Sequence, residues 1–350
     1  KDEAAAREWF EQASKLDNPH VQYQLARMIF NDPSSTPEQT AQALEWPTKA
    51  AEAGQDCAQY ALGKIYRDGQ GVEKDIQKAV ALFTLAATKE NSFAAFALGK
   101  LYLAGDAALP RDPAAALKWL TYAAELGNQF AQYRLGKLLL KGDDGIPKDV
   151  IAAIRWLTAA AKQENGYAEY ALALVYLTGE DAPKDSVKAL SLLKRSAGQA
   201  NQFAQYRLGK LLLQGEDAPK DVKAAIRWLT AAAEQGNQYA QYALGKLYLL
   251  GKEVPKDRSS AIKWFQLAAD QGNEYAQYFL KHMDDRLGQP PVAAVISLFH
   301  HLSNIFQEQN QPPPSGGVRV AVDRKLLRKI KAKKIAQGHK ADDHEPEMQL

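Results

Sequence analysis

Two patterns of apolar and polar positions alternate along this chain, each with the spacing of a helix. The first is written most cleanly at Asn128–Leu140 and recurs letter for letter at Asn201–Leu213. Wound at about 100° per residue, it sets Ala131, Leu135, Leu138 and Leu139 on one stripe, with Gly136 at its edge where another helix can come close. Tyr133, Lys137 and Leu140 fall on a different stripe. The second pattern is clearest at Pro219–Asn237. There Asp221 is a natural N-cap, Ala225, Trp228, Leu229 and Ala232 form the stripe expected to be buried, and Gly236 supplies a left-handed stop. One copy of each predicts a pair of antiparallel helices joined by a Gly/Asp/Pro loop.

The small residue of each first pattern fixes the period. Val21, Ala58, Ala94, Ala131, Ala168, Ala204, Ala240 and Ala276 are separated by 37, 36, 37, 37, 36, 36 and 36 residues. So regular a period means stacked supersecondary units, none of which buries its apolar face alone. First helices are expected at 18–30, 55–67, 91–103, 128–140, 165–177, 201–213, 237–249 and 273–283. Their partners are expected near 38–53, 75–89, 113–126, 149–163, 185–197, 221–235 and 257–271. The fold class is all-α, a solenoid.

The recurring Ala-x-x-x-Leu-Gly-x-x-Tyr, then Gly, Pro-Lys-Asp, Ala, Trp, Ala-Ala and Gly-Asn resembles the Sel1-like repeat, a longer-looped variant of the tetratricopeptide repeat. The resemblance covers residues 1–283. It implies a right-handed α-α superhelix whose concave side holds other proteins, and it implies no reaction. Departures are visible. Trp46-Pro47 puts a proline inside a second helix and should kink it. Phe83 and Leu192 read as replacements of the helix tryptophan, and Ala173-Leu174 replaces Gly-Lys.

The ends depart from the period. Lys1–Lys15, with Trp9 in the tryptophan slot, reads as a second helix lacking its first, as in a piece cut from a longer protein. Residues 284–311 read as a capping helix, with Val292, Val295, Ile296, Phe299, Leu302, Ile305 and Phe306 at helical spacing; partner binding or dimerisation is the other reading. Residues 312–350 read as a proline-rich linker and a basic tail.

Charge refines the picture through its distribution. The chain carries 44 Lys/Arg and 41 Asp/Glu, yet residues 318–350 alone hold nine basic and five acidic residues, leaving the remainder at 35 − 36 = −1. Arg324, Lys325, Arg328, Lys329, Lys331, Lys333 and Lys334 are the candidates for weak, non-specific phosphate contacts, without aromatics to stack on bases. The segment through Ala336-Gln337-Gly338-His339-Lys340 loosely resembles the C-terminal ends of plasmid-mobilisation relaxases that carry Sel1-like arrays. That would make this an accessory region of a DNA-mobilisation protein whose catalytic residues lie upstream. A single cysteine, Cys57, excludes an intrachain disulfide and points to a reducing, cytoplasmic setting. It shares a slot with Phe and Tyr, which predicts a core position.

Chemical motifs are wanting. His300-His301 are adjacent and point about 100° apart on a helix, so they do not chelate one metal. His339 and His344 sit in the tail, Asp143-Asp144-Gly145 lacks the later acids of a calcium loop, and Lys252–Lys256 lacks the glycines of a phosphate loop. No metal, cofactor, membrane span or catalytic constellation is expected, and the chain reads as a non-enzyme.

What remains is a surface. One stripe of the first helices aligns Tyr60, Phe96, Tyr133, Tyr170, Tyr206, Tyr242 and Tyr278, followed one turn later by Lys64, Lys100, Lys137, Lys210 and Lys246. Leu103, Leu140, Leu177, Leu213 and Leu249 follow in the next turn. Such a groove suits a protein or peptide segment bearing carboxylates. The alternative is that the rings pack repeat on repeat and the lysines are solvated neighbours.

Overall fold

The computed structural model describes residues 35–142 and 145–282, with scattered positions between 26 and 32. By its contacts the chain divides after Met283 into two units, and the described residues belong to the first. The orphan helix at 1–15, the capping helix at 284–311, and the linker and tail at 312–350 lie outside the described residues. So do Asp143, Asp144, His300, His301, His339 and His344.

Second helices α1 (Pro37–Glu52), α3 (Ile76–Ala87), α5 (Pro113–Glu125), α7 (Val150–Lys162), α9 (Ser186–Gly198), α11 (Val222–Glu234) and α13 (Arg258–Asp270) alternate with first helices. The first helices are α2 (Asp56–Asp68), α4 (Ser92–Ala104), α6 (Gln129–Lys141), α8 (Gly166–Thr178), α10 (Gln202–Gln214), α12 (Gln238–Leu250) and α14 (Glu274–His282). Each helix packs on the next in sequence, and the array is an all-α repeat solenoid.

Both helix types are started by a side chain. The Asp221 carboxylate accepts from the Ala224 amide at 2.9 Å, and Asp75, Asp112, Asp149, Asp185 and Asp257 cap their helices likewise. The Asn128 amide oxygen accepts from the amides of Phe130 and Ala131, a role shared by Asn91, Asn165, Asn201 and Asn237. Gly236, at φ +88°, ends α11 in the left-handed region as expected. Pro47 is buried inside α1, and its missing N–H leaves the chain helical from Pro37 to Glu52.

The two helices of a unit meet at the glycine. A Cβ built on Gly209 would stand 2.7 Å from Leu229 Cγ, and one on Gly136 2.6 Å from Leu157 Cγ. Leu120, Leu157, Leu193 and Leu229 are therefore fully buried, whereas Trp119, Trp156 and Trp228 are only half-buried. This corrects two expectations. The tryptophan lies on the flank of the buried stripe, and the leucine after it fills the core. Phe83 replaces that leucine and not the tryptophan: its ring faces Gly63, while Leu82 takes the tryptophan position.

Successive units are tied by two polar ladders. In one, a buried glutamine reaches back eight residues. Gln132 Nε2 donates to the Ala124 carbonyl at 3.0 Å, and Gln205 and Gln241 do the same to Ala197 and Ala233. Their oxygens accept from Gln163, Gln235 and Gln271, which stand at the ends of the second helices of their own units. In the other, the lysine of each Pro-Lys-Asp or equivalent reaches the next loop's acid: Lys74 to Asp106, Lys148 to Asp181, Lys184 to Asp217 and Lys220 to Glu253, at 2.5–2.8 Å.

The glutamine ladder is altered in α8, where Glu169 stands and is 0% exposed. A carboxylate cannot donate to the Ala161 carbonyl. Arg195 does so instead, at 3.3 Å, while its guanidinium lies 2.6 Å from Glu169 Oε1. Gln199 completes the set by donating to Oε2 at 3.1 Å.

Candidate partner-binding surface

The stripe carrying Tyr133 and Lys137 lies beside the one that buries Ala131 and Leu135, so its side chains start at the solvent edge of each first helix. Tyr60, Phe96, Tyr133, Tyr170, Tyr206 and Tyr242 are half-buried there, and Tyr278, in the final described helix, is 46% exposed. Each ring leans on an aromatic from the next unit. The centroid distances are 6.2 Å for Tyr60–Phe93, 6.4 Å for Phe96–Phe130, 6.0 Å for Tyr133–Tyr167 and 6.3 Å for Tyr170–Phe203. Tyr206–Tyr239 and Tyr242–Tyr275 continue the ladder at 6.1 and 6.0 Å. These are favourable aromatic separations, so the rings join repeat to repeat.

The second member of each pair was missed in sequence. Phe93, Phe130, Tyr167, Phe203, Tyr239 and Tyr275 also recur every 36–37 residues, three positions before the predicted ring, which was the available signal. Cys57 occupies that slot in α2 and is exposed, with its thiol donating to the Asp56 carboxylate at 3.8 Å. The expected core position is thus corrected: the slot faces outward, and Phe93 and Phe130 are about half exposed too.

The lysines sit above the rings. Lys64, Lys100 and Lys137 place Nζ 5.4, 5.7 and 5.9 Å from the centroids of Tyr60, Phe96 and Tyr133, within cation–π range. Lys137, Lys210 and Lys246 are half-buried, and burial pushes all three ammonium pKa values down. Neighbouring cations add to this, Arg134 at Lys137 and Arg207 at Lys210. Of the five lysines Lys100 is exposed, and the other four are half-buried. Burial also pushes the Tyr133, Tyr170 and Tyr242 hydroxyls up and takes Tyr206 to about 12. Of the apolar rungs, Leu103 and Leu177 are buried in the core, whereas Leu140, Leu213 and Leu249 are half-buried.

Arg324, Lys325, Arg328, Lys329, Lys331, Lys333 and Lys334 lie outside the described residues. Among the described residues no group of three or more His, Cys, Asp or Glu side chains is placed to hold a metal ion. No helix among them is long and apolar enough to cross a membrane.

The Sel1 repeat model matches residues 1–18, 19–55, 58–91, 92–128, 129–165, 166–201, 202–237 and 238–273. A search of curated proteins gave no significant match. Among solved structures, the chain is similar to a protective antigen present in uropathogenic Escherichia coli strains, displaying an SLR fold. Identity is 34% and the TM-score 0.65, over 83% of this chain and 62% of the antigen, so the chain spans under two thirds of that relative's length. It is similar also to a Sel1 repeat protein from Oxalobacter formigenes, with 30% identity, TM-score 0.65 and 80% of each chain covered. With eight matched repeats and a solenoid shared with both structures, the chain belongs to the Sel1 repeat family.

Proposed function

We propose that this solenoid is an interaction scaffold that holds a segment of a partner protein along the ring-and-lysine face of its first helices. Sel1 repeat solenoids are typical of protein–protein interaction scaffolds and are generally non-catalytic. The observation that carries the reading is the placement of Lys137, Lys210 and Lys246, each half-buried and desolvated beside a tyrosine ladder. Burying part of an ammonium costs free energy in the free protein, and an incoming carboxylate offsets that cost. Tyr133, Tyr170, Tyr206 and Tyr242 supply apolar area with a polar tip, and Tyr278 extends the row. The units at Tyr60, Lys64, Phe96 and Lys100 carry the same arrangement, so several units engage one partner together.

The alternative, an accessory region of a DNA-mobilisation protein, rests on residues 318–340 alone, which lie outside the described residues. The test is a set of Lys→Gln substitutions at 137, 210 and 246, chosen to keep the aliphatic stems and remove charge. The variant should retain its helical circular dichroism and lose the proteins that co-purify with the parent from the source cell. Unchanged recovery by a folded variant would place the interaction elsewhere.

A further inference from the structure

Between Lys64 and Lys246 the lysine stripe is interrupted at one helix. In α6 it holds Arg134 and Lys137, and in α10 it holds Arg207 and Lys210. In α8, between them, the same two positions are Ala171 and Leu174. Leu174 is half-buried, so part of its side chain remains open to solvent, beside the half-buried Tyr170. Among the described residues no carboxylate pairs with Lys137 or Lys210. Asp217, close enough to Arg207 to feel its charge, is already tied to Lys184 and Ser186 at 2.7 Å.

Packed helices stand about 8–10 Å apart, and α6 and α8 are in direct contact, so neighbouring units offer their side chains at about that interval. An extended peptide advances about 3.3–3.6 Å per residue. Three residues of peptide therefore match one unit, and six match the two units between Lys137 and Lys210.

Resting on the scaffold reading above, we propose that this face selects an extended acidic segment with an apolar residue at its centre: carboxylates at positions 1 and 7, and a leucine-like side chain at position 4. The end carboxylates meet the cations of α6 and α10. The central side chain covers Leu174 and the Tyr170 ring, where α8 supplies no cation of its own and the Arg207 charge that reaches Tyr170 is engaged by the carboxylate at position 7. Charge complementarity sets the ends, and the gap sets the middle.

The test is fluorescence anisotropy with the full 350-residue chain and labelled synthetic nonapeptides. All carry glutamate at positions 1 and 7 of the core, in a Gly/Ser background, and they differ at position 4: leucine, serine or glutamate. The leucine peptide should bind the parent about tenfold more tightly than the glutamate peptide, the scale set by burying one apolar side chain instead of one mismatched charge. Leu174→Lys should invert that order, while circular dichroism confirms the fold. The basic tail is common to both proteins, so any attraction it exerts on acidic peptides cancels in the comparison. Equal binding of the leucine and glutamate peptides, with affinity still lost on Lys137→Gln and Lys210→Gln, would overturn the register and leave the binding face standing. Binding that ignores the lysines as well, or no binding at all, would overturn both. Tighter binding of a single-stranded oligonucleotide than of any peptide, sensitive to the same lysines, would overturn the choice of a peptide.

Discussion

Arg195→Ala tests how the stack tolerates its one carboxylate in the glutamine ladder. The truncation is itself acceptable to the fold, because neighbouring units carry Ala159 and Ala231 at the equivalent position. What it leaves is harmful: a fully buried Glu169 without its cation, and an Ala161 carbonyl without its donor. Breaking a fully buried ion pair costs about 3–5 kcal/mol. Arg195 is 53% exposed and Gln199 still donates to Glu169, which lowers the expectation to about 2–4 kcal/mol. For an array that runs to Met283, that is a fall in melting temperature of roughly 3–7 °C.

Adding Glu169→Gln should return most of the loss, to within about 1 kcal/mol of the parent, because a glutamine there can donate to Ala161 as Gln132 does to Ala124. The pH dependence has a definite sign. Burial raises the Glu169 pKa, and Arg195 opposes the rise. A raised folded-state pKa means stability that is present below the unfolded-state value and is lost as pH rises through the folded one. Without Arg195 the rise is steeper, so the Arg195→Ala penalty should be small at acid pH and full at neutral pH. Thermal melts followed by far-ultraviolet circular dichroism on the four proteins of the cycle give the answer. An Arg195→Ala variant that melts with the parent at neutral pH, or a double variant no better than the single, would refute the reasoning.

Leu229→Ala should cost about 3–5 kcal/mol, near the upper end for a buried leucine, whereas Trp228→Ala, on the half-buried flank, should cost about 1–2 kcal/mol. Equal losses in thermal or urea melts would contradict the assigned packing. An ultraviolet phenolate titration should show tyrosines that resist ionisation, with Tyr206 titrating near pH 12 against about 10 in the unfolded chain. A raised tyrosine pKa gives stability that is full below the unfolded value and lost as pH climbs through the folded one, so melting temperature should fall at strongly alkaline pH; Tyr206→Phe should remove the step near pH 12 and leave the later ionisation of Tyr242 in place. Lys184→Ala, which breaks one exposed loop ion pair with Asp217, should shift stability by under about 1 kcal/mol, because such pairs are screened and entropically costly.

The helix pairs were legible because caps, glycines and alanines recur in fixed places. Asp221 and Gly236 each have a backbone reason that does not depend on the neighbours. Which of two adjacent apolar residues enters the core was not legible. Trp228 and Leu229 differ by one position, and the decision is made by Gly209 on the facing helix, where leucine fits against the bare backbone. Position along one helix also hid the depth of Lys137 and Lys210. Their burial comes from rings and cations whose places depend on the stack. Cys57 was misplaced because an aromatic slot was equated with the interior, whereas the rings there lie on the surface against the preceding unit. The Glu169–Arg195 exchange was invisible for a related reason: the partners are 26 residues apart and each alone reads as ordinary polar variation.

The central claim is that partners lie on the first-helix face. Photo-cross-linking measures this directly, with a photoreactive amino acid placed at Leu174 on that face or at Ile151, which is 85% exposed on a second helix. In the full chain, irradiated in extract of the source cell, the account predicts a discrete cross-linked protein from position 174, lost when Lys137 and Lys210 are changed to glutamine, and none from position 151. A discrete product from 151 and none from 174 would contradict it.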